Sequence, residues 1–175
     1  FHRFHGMNEQ QAGTVSGILA LLALVGAPIG GVLADSWMRR RADARMVFSG
    51  IVSSLSALIL FWALIFSHTP AFMPLLVGFG ILSVAFLAPS AAVIQDVVHP
   101  GLRAMGYGIN VLVLQLLGAS WTPWFVGLLS DHWGLENALM VLPIFGLVAG
   151  FLFFAGSKWY EKDLGKVKGI VLLEE

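Results

Sequence analysis

Cysteine is absent from the 175 residues. That excludes a disulfide framework, thiolate metal centres and a cysteine nucleophile. Charge is scarce as well: Asp, Glu, Lys and Arg together make up 11% of the chain, against about 25% in an ordinary soluble domain. Ten basic and ten acidic side chains cancel to a formal net charge of zero, so no basic field gathers nucleic acid and no acidic one repels it. What fills the chain instead is apolar, with 58% hydrophobic residues and a mean hydropathy of +0.84. This composition excludes a soluble globule and leaves a membrane protein.

The few charges bound five charge-free stretches, residues 15–34, 46–66, 71–94, 104–129 and 138–156. At about 1.5 Å of rise per residue, each is long enough to cross a hydrocarbon core about 30 Å thick. Lipid offers backbone groups no hydrogen-bond partner, so these stretches are expected to be helices and the fold an all-α, polytopic membrane bundle. With residues 1–14 as an external loop, the cytoplasmic segments hold Arg39, Arg40, Arg41, Arg45, Arg103, Lys158, Lys162, Lys166 and Lys168. Only Arg3 of the ten basic residues then falls outside, and the positive-inside rule puts the tail, 157–175, in the cytoplasm. The opening Phe1-His2-Arg3-Phe4 has no initiator Met and no signal-peptide pattern. With five spans an awkward count, the chain is expected to follow an unseen helix and to be part of a longer protein.

An internal repeat carries more information. Gly31-Val-Leu-Ala-Asp35-Ser-Trp37 ends the first span, and Gly127-Leu-Leu-Ser-Asp131-His-Trp133 ends the fourth. Three spans separate the copies, so they end on opposite sides, as in inverted-topology repeats of three-helix units. Charge breaks the symmetry: the first copy runs into Arg39-Arg40-Arg41-Ala42-Asp43-Ala44-Arg45, the second into Gly134-Leu135-Glu136-Asn137.

Gly31-x-x-x-Asp35-x-x-x-Arg39-Arg40, between an apolar span and a short loop, resembles the conserved loop motif of the major facilitator superfamily as it recurs between helices 8 and 9. The resemblance covers essentially the whole chain and implies that the five spans are helices 8 to 12, the C-terminal half of a transporter. One departure is Met38, where the motif usually has Gly. Within the superfamily the chain is most similar to bacterial spinster-like transporters, through Arg39 to Arg45, Leu102-Arg103-Ala104, Leu117-Gly118 with Pro123, and Gly127 to Asp131. That resemblance implies an amphipathic, lipid-like substrate of sphingolipid or lysophospholipid type, the N-terminal half of the same transporter and membrane lipids as partners, and a bacterial inner membrane as the location. It also leads to a gate at the cytoplasmic end of Gly31, Asp35, Arg39, Arg40 and Arg103, with Asp35 beside Arg103 at the start of the fourth span. Failing that, Asp35 pairs with Arg39 or Arg40.

No catalytic site is expected. Ser130, Asp131 and His132 are consecutive, which excludes triad geometry. Gly78/Gly80 and Gly106/Gly108 lack the strand–turn–helix context that cradles phosphate. His2 and His5 are a weak metal pattern on a chain end, and neither a metal nor a cofactor is expected. All ten carboxylates lie outside the five spans, so any proton coupling falls to the other half.

The pathway is expected on polar stripes. Gly108, Gln115 and Thr122 share a face of the fourth span with Gly118 beside them, while Phe79, Ser83, Phe86 and Ser90 share one on the third. Phe79, Ser83, Phe86, Gln115, Gly118 and Thr122 are therefore expected to line a central cavity. Asn110 is expected to bond a neighbouring helix. Gly26/Gly30 and Gly146/Gly150 are Gly-x-x-x-Gly pairs for close helix approach, and Ser49, Ser53 and Ser56 a packing stripe. Pro28, Pro89, Pro123 and Pro143 are expected to bend spans, and Trp121, Trp124 and Trp133 to anchor at the interface. Secondary active transport by alternating access is the function these features fit. A multidrug or metabolite exporter, or a non-transporting scaffold or receptor, remains the alternative.

Overall fold

The computed structural model describes residues 9–174. In chain order the helices are α1 Glu9–Met38, α2 Ala44–Ile65, α3 Phe72–Ala85, α4 Leu87–Asp96, α5 Arg103–Val113, α6 Trp121–Trp133, α7 Leu135–Leu139 and α8 Leu142–Glu174. A 3-10 turn, Pro100–Leu102, precedes α5, and a π-helical turn, Leu114–Ala119, joins α5 to α6. Among the described residues there is no strand. Five segments are long and apolar enough to cross a membrane: Ser16–Met38, Ala44–Ile65, Phe72–Asp96, Pro100–Trp133 and Leu135–Val167. They overlap the five expected stretches, and the all-α membrane bundle holds.

Both chain ends differ from expectation. α1 starts at Glu9, so residues 9–14 are helix rather than loop, with the Thr14 hydroxyl donating to the Gln10 carbonyl at 2.9 Å. His2, Arg3 and His5 lie outside the described residues. At the other end α8 runs unbroken for 33 residues, about 50 Å at helical rise, so the described part of the expected tail continues the last helix.

Proline explains three interruptions. Pro89 has no N–H to give the Ala85 carbonyl, and the third span breaks at Phe86 between α3 and α4. Pro123 likewise has no N–H to give the Ala119 carbonyl, and the chain just before it widens into the π turn. There the Ser120 N–H and hydroxyl both donate to the Gln115 carbonyl, at 3.0 and 2.8 Å, and the Thr122 hydroxyl donates to the Gly118 carbonyl at 2.7 Å. Pro28 sits inside α1 without interrupting it. Pro143 lies in the first turn of α8 and has no N–H to give the Leu139 carbonyl, and the fifth span is interrupted just before it, between α7 and α8.

Packing follows the small residues. α1 lies along α3, and α2 along both α3 and α8. A Cβ on Gly26 would stand 2.2 Å from the Ile81 carbonyl oxygen, and one on Gly30 would stand 1.9 Å from that of Ala85. Glycine is therefore what lets α1 touch the α3 backbone, and the second contact falls where the third span breaks. Between α2 and α8 the same device recurs: a Cβ on Gly150 would meet the Ser54 hydroxyl at 2.1 Å and the Gly50 carbonyl at 3.0 Å, and one on Gly146 the Ala57 Cβ at 2.7 Å. Both Gly-x-x-x-Gly pairs thus hold helix-to-helix contacts.

The two copies of the repeat end differently. Gly134, at φ 80°, turns the chain after Trp133. Met38 holds the matching place in the first copy, and there the chain turns without positive φ, through Arg40 and Arg41 N–H groups donating to the Trp37 carbonyl at 2.9 and 3.2 Å. The missing motif glycine is not needed because that turn stays right-handed.

Gly30→Ala should lower the thermal midpoint of the purified protein in detergent, by about 1–3 kcal/mol of overpacking. Gly78→Ala, with nothing within 4 Å of the added methyl, should leave it equal or higher. Similar midpoints for the two variants would remove the close approach as the cause.

Candidate functional site

Five of the six expected cavity residues divide between two hollows. Phe79, Ser83 and Phe86 line one of about 290 Å³ with Ser53 and Ser56 of α2 and Gly146 of α8. Gly118 and Thr122 line another of about 330 Å³ with Trp121, Phe125 and Phe145. Gln115 lines neither of these; it is exposed on the π turn. The fourth span stands apart because it meets the bundle at α4 near its start and, near its end, at the short α7 and the start of α8, with the Phe125 ring edge-on to Phe145 at 6.1 Å.

The hydroxyls in the first hollow are partly committed. Ser53 donates across to the Gly146 carbonyl at 3.1 Å, joining α2 to α8. Ser83 donates within its own helix to Gly80 at 3.1 Å, which leaves its lone pairs to accept from a guest. Phe86 is fixed edge-on against Phe153 of α8 at 6.2 Å. The surface is therefore apolar with a few hydroxyls and no charge, suited to a hydrocarbon portion rather than an ion. Ser53 and Ser56 reach it because α2, assigned to packing by the sequence, forms its wall. Asn110 makes no side-chain hydrogen bond among the described residues, against expectation.

At the arginine-bearing end the structure builds something the sequence analysis missed. The Arg45 guanidinium lies between two carboxylates: Nε and Nη2 reach Asp35 Oδ1 at 2.9 and 2.8 Å, and Nη1 donates to Asp96 Oδ2. The same Asp96 oxygen accepts the Tyr160 hydroxyl at 2.7 Å. Four spans meet in this cluster, through α1, α2, α4 and α8. Asp35 is thus paired, but not with Arg39, Arg40 or Arg103, which form no ion pair among the described residues. The reason is reach: Arg45 opens the second helix beside the end of the first, whereas Arg39 and Arg40 lie exposed in the turn.

Magnitudes separate the two arms. Asp35 is 58% exposed, so its arm is worth under about 1 kcal/mol. Asp96 is 24% exposed and Arg45 17%, a drier setting in which a charge-assisted hydrogen bond is stronger. Nearby, Arg41 Nη2 donates to the buried Asp43 at 2.9 Å, and that hydrogen bond holds the Arg41 pKa above its ordinary value. At the opposite end His68 Nε2 stands 3.5 Å from Glu136, both exposed. No group of three or more metal-ligating side chains occurs among the described residues.

Five apolar spans, broken at prolines and joined by glycine contacts, with charge gathered at their ends, define an integral membrane protein of the helical-bundle class. The family model of the Major Facilitator Superfamily matches residues 2–169, and the chain belongs to that family. It resembles spinster-like proteins: it is 26% identical over 170 residues to Protein spinster homolog 1 of Xenopus laevis, covering 87% of this chain and 32% of that protein. To the protein of the same name from Xenopus tropicalis it is 29% identical over 139 residues, covering 70% of this chain and 26% of the relative. The chain thus spans about a third or less of the curated relatives it matches.

Arg45→Ala should destabilise the protein by about 1–3 kcal/mol, because Asp96 and Tyr160 lose the cation they face. Arg39→Ala should stay within about 0.5 kcal/mol. Thermal midpoints of the two variants check this; equal midpoints would count against the cluster.

Proposed function

We propose that this chain supplies five spans, helices 8 to 12, of a secondary active transporter that moves an amphipathic, lipid-like small molecule by alternating access and performs no enzymatic reaction. The observation that carries the reading is the fourth span. None of residues 100–133 is buried by the rest of the described chain, although this span holds Leu117 exposed to 72% and the polar face of Gln115 and Thr122. A second transporter half laid against that span would cover it and enclose a path. Gln115, Gly118 and Thr122 would face the path from one side, and Phe79, Ser83 and Phe86 would offer an apolar wall with a hydroxyl.

A sphingolipid or lysophospholipid suits this division between apolar wall and neutral polar groups. The other transporter half and membrane lipids are then the partners. Basic residues at one end favour placing Arg39 to Arg45 and the end of α8 in the cytoplasm of a bacterial inner membrane. With Asp35, Asp96 and Asp131 only at span ends, a proton-coupling carboxylate within the membrane would belong to the other half.

Reconstituted full-length protein should carry a labelled lysophospholipid across liposome membranes. Flux of a cationic drug in place of the lysolipid would favour a multidrug exporter, and binding without flux a scaffold or receptor.

The cytoplasmic gate centres on Asp35 and Arg45. Helix ends that rock apart would break this pairing, so it favours the outward-facing state. Asp35→Asn should raise the inward-to-outward ratio by up to about fivefold, the ceiling set by a mostly exposed pair. Asp131→Asn, without following arginines, should change it less. Distances between spin labels on the two halves measure both, and equal shifts would remove the asymmetry.

A further inference from the structure

Tyr160 sits on α8 between exposed neighbours: Lys158, Trp159, Glu161 and Lys162 are all exposed, whereas Tyr160 is 3% exposed. A phenylalanine would fill the same space. The hydroxyl is the distinguishing group, and a buried phenol needs a partner for it. Its partner is Asp96 Oδ2, the oxygen that Arg45 Nη1 also reaches. Two donors from two helices therefore converge on one oxygen of a third.

We infer that Tyr160 is a positioning residue: its hydroxyl holds the Asp96 carboxylate in the orientation in which Arg45 can bridge Asp96 and Asp35 together. A guanidinium presents its donors in a rigid plane, so Arg45 satisfies both carboxylates only if each keeps its place. Asp35 is mostly exposed and free to turn, which leaves Asp96 as the fixed reference. Ser157, one turn earlier on α8, spends its hydroxyl on the Phe154 carbonyl at 2.8 Å and offers no substitute. Through Tyr160 the last span joins a latch that the loop motif would otherwise confine to the first three. The effect on conformation rests on the alternating-access reading; the coupling between Tyr160 and Asp96 does not.

The test is a double-mutant cycle in full-length protein in lipid nanodiscs, with Tyr160→Phe and Asp96→Ala singly and together. Two quantities are read: the inward-to-outward ratio from spin-label distances between the halves, and the thermal midpoint. Tyr160→Phe should lower the thermal midpoint and shift the ratio toward inward-facing by up to about fivefold, the ceiling of the mostly exposed Asp35 pairing it supports. It should add little once Asp96 is gone. A packing role would not depend on Asp96 in this way. Asp96→Val, closer in shape, repeats the cycle should the alanine variant not express. Coupled midpoints with unchanged distances in every variant, Arg45→Ala included, would uphold the positioning role while removing alternating access. Tyr160→Phe effects of equal size with and without Asp96, or no effect in either readout, would overturn the inference.

Discussion

Helices in a membrane cannot rely on the hydrophobic effect to bring them together, because lipid tails are as apolar as leucine. Close backbone approach must do it, and here it depends on Gly26 and Gly30 lying against the Ile81 and Ala85 carbonyls of α3. A side chain at either position would stand inside those oxygens, so α1 could not settle at this distance. The contact at Gly30 also meets the third span where Pro89 has removed the N–H that would otherwise bond Ala85. One place in the bundle thus combines the closest approach with a missing backbone hydrogen bond.

From that seam the rest follows in order. α3 held on α1 sets where α2 can lie, and α8 is joined to α2 by its own glycine pair and by the Ser53 hydroxyl on Gly146. Four spans so arranged bring their arginine-bearing ends together, and only then do Asp35, Arg45, Asp96 and Tyr160 come within bonding distance. The ion cluster depends on packing that is set deeper in the membrane. Its net worth is modest at the exposed Asp35 arm and greater at Asp96, so the cluster tunes a geometry that the glycines have already established.

What was legible in the sequence divides along the same line. Spans, glycine pairs and the loop motif are local or periodic, so Val15 to Ala34 or Gly146-x-x-x-Gly150 could be recognised without knowing a neighbour. The proline breaks were legible only in part. Pro89, Pro123 and Pro143 act on the residue four places back, but Pro28 sits inside α1 without interrupting it. Arg45 was counted within a run of basic residues, and its role depends on Asp96, 51 residues away, and on Tyr160, farther still. Nothing in the spacing of one chain signals such a meeting. The cavity set shared this weakness: Phe79, Ser83 and Phe86 line one hollow together, but Gln115 parts from Gly118 and Thr122, and which helix each face meets is a matter of packing.

The fourth span shows how backbone geometry and packing are linked. Its backbone carries the largest departure from α-geometry, the π turn over Leu114–Ala119, and its side chains the least burial. Inside a tightly packed bundle such a turn would need neighbours to give way, since there even a methyl added on Gly150 would meet the Ser54 hydroxyl. On a helix that touches the bundle mainly at Val98 and Ile94 near one end and Phe145 near the other, the turn meets no such resistance. It also widens the helix at Gln115 and leaves space beside Gly118, so the groups that break the regular helix are ones that stay exposed in the described chain. The π turn and the exposure of this span therefore go together, and the four glycine-joined spans supply the packed bundle beside which it stands.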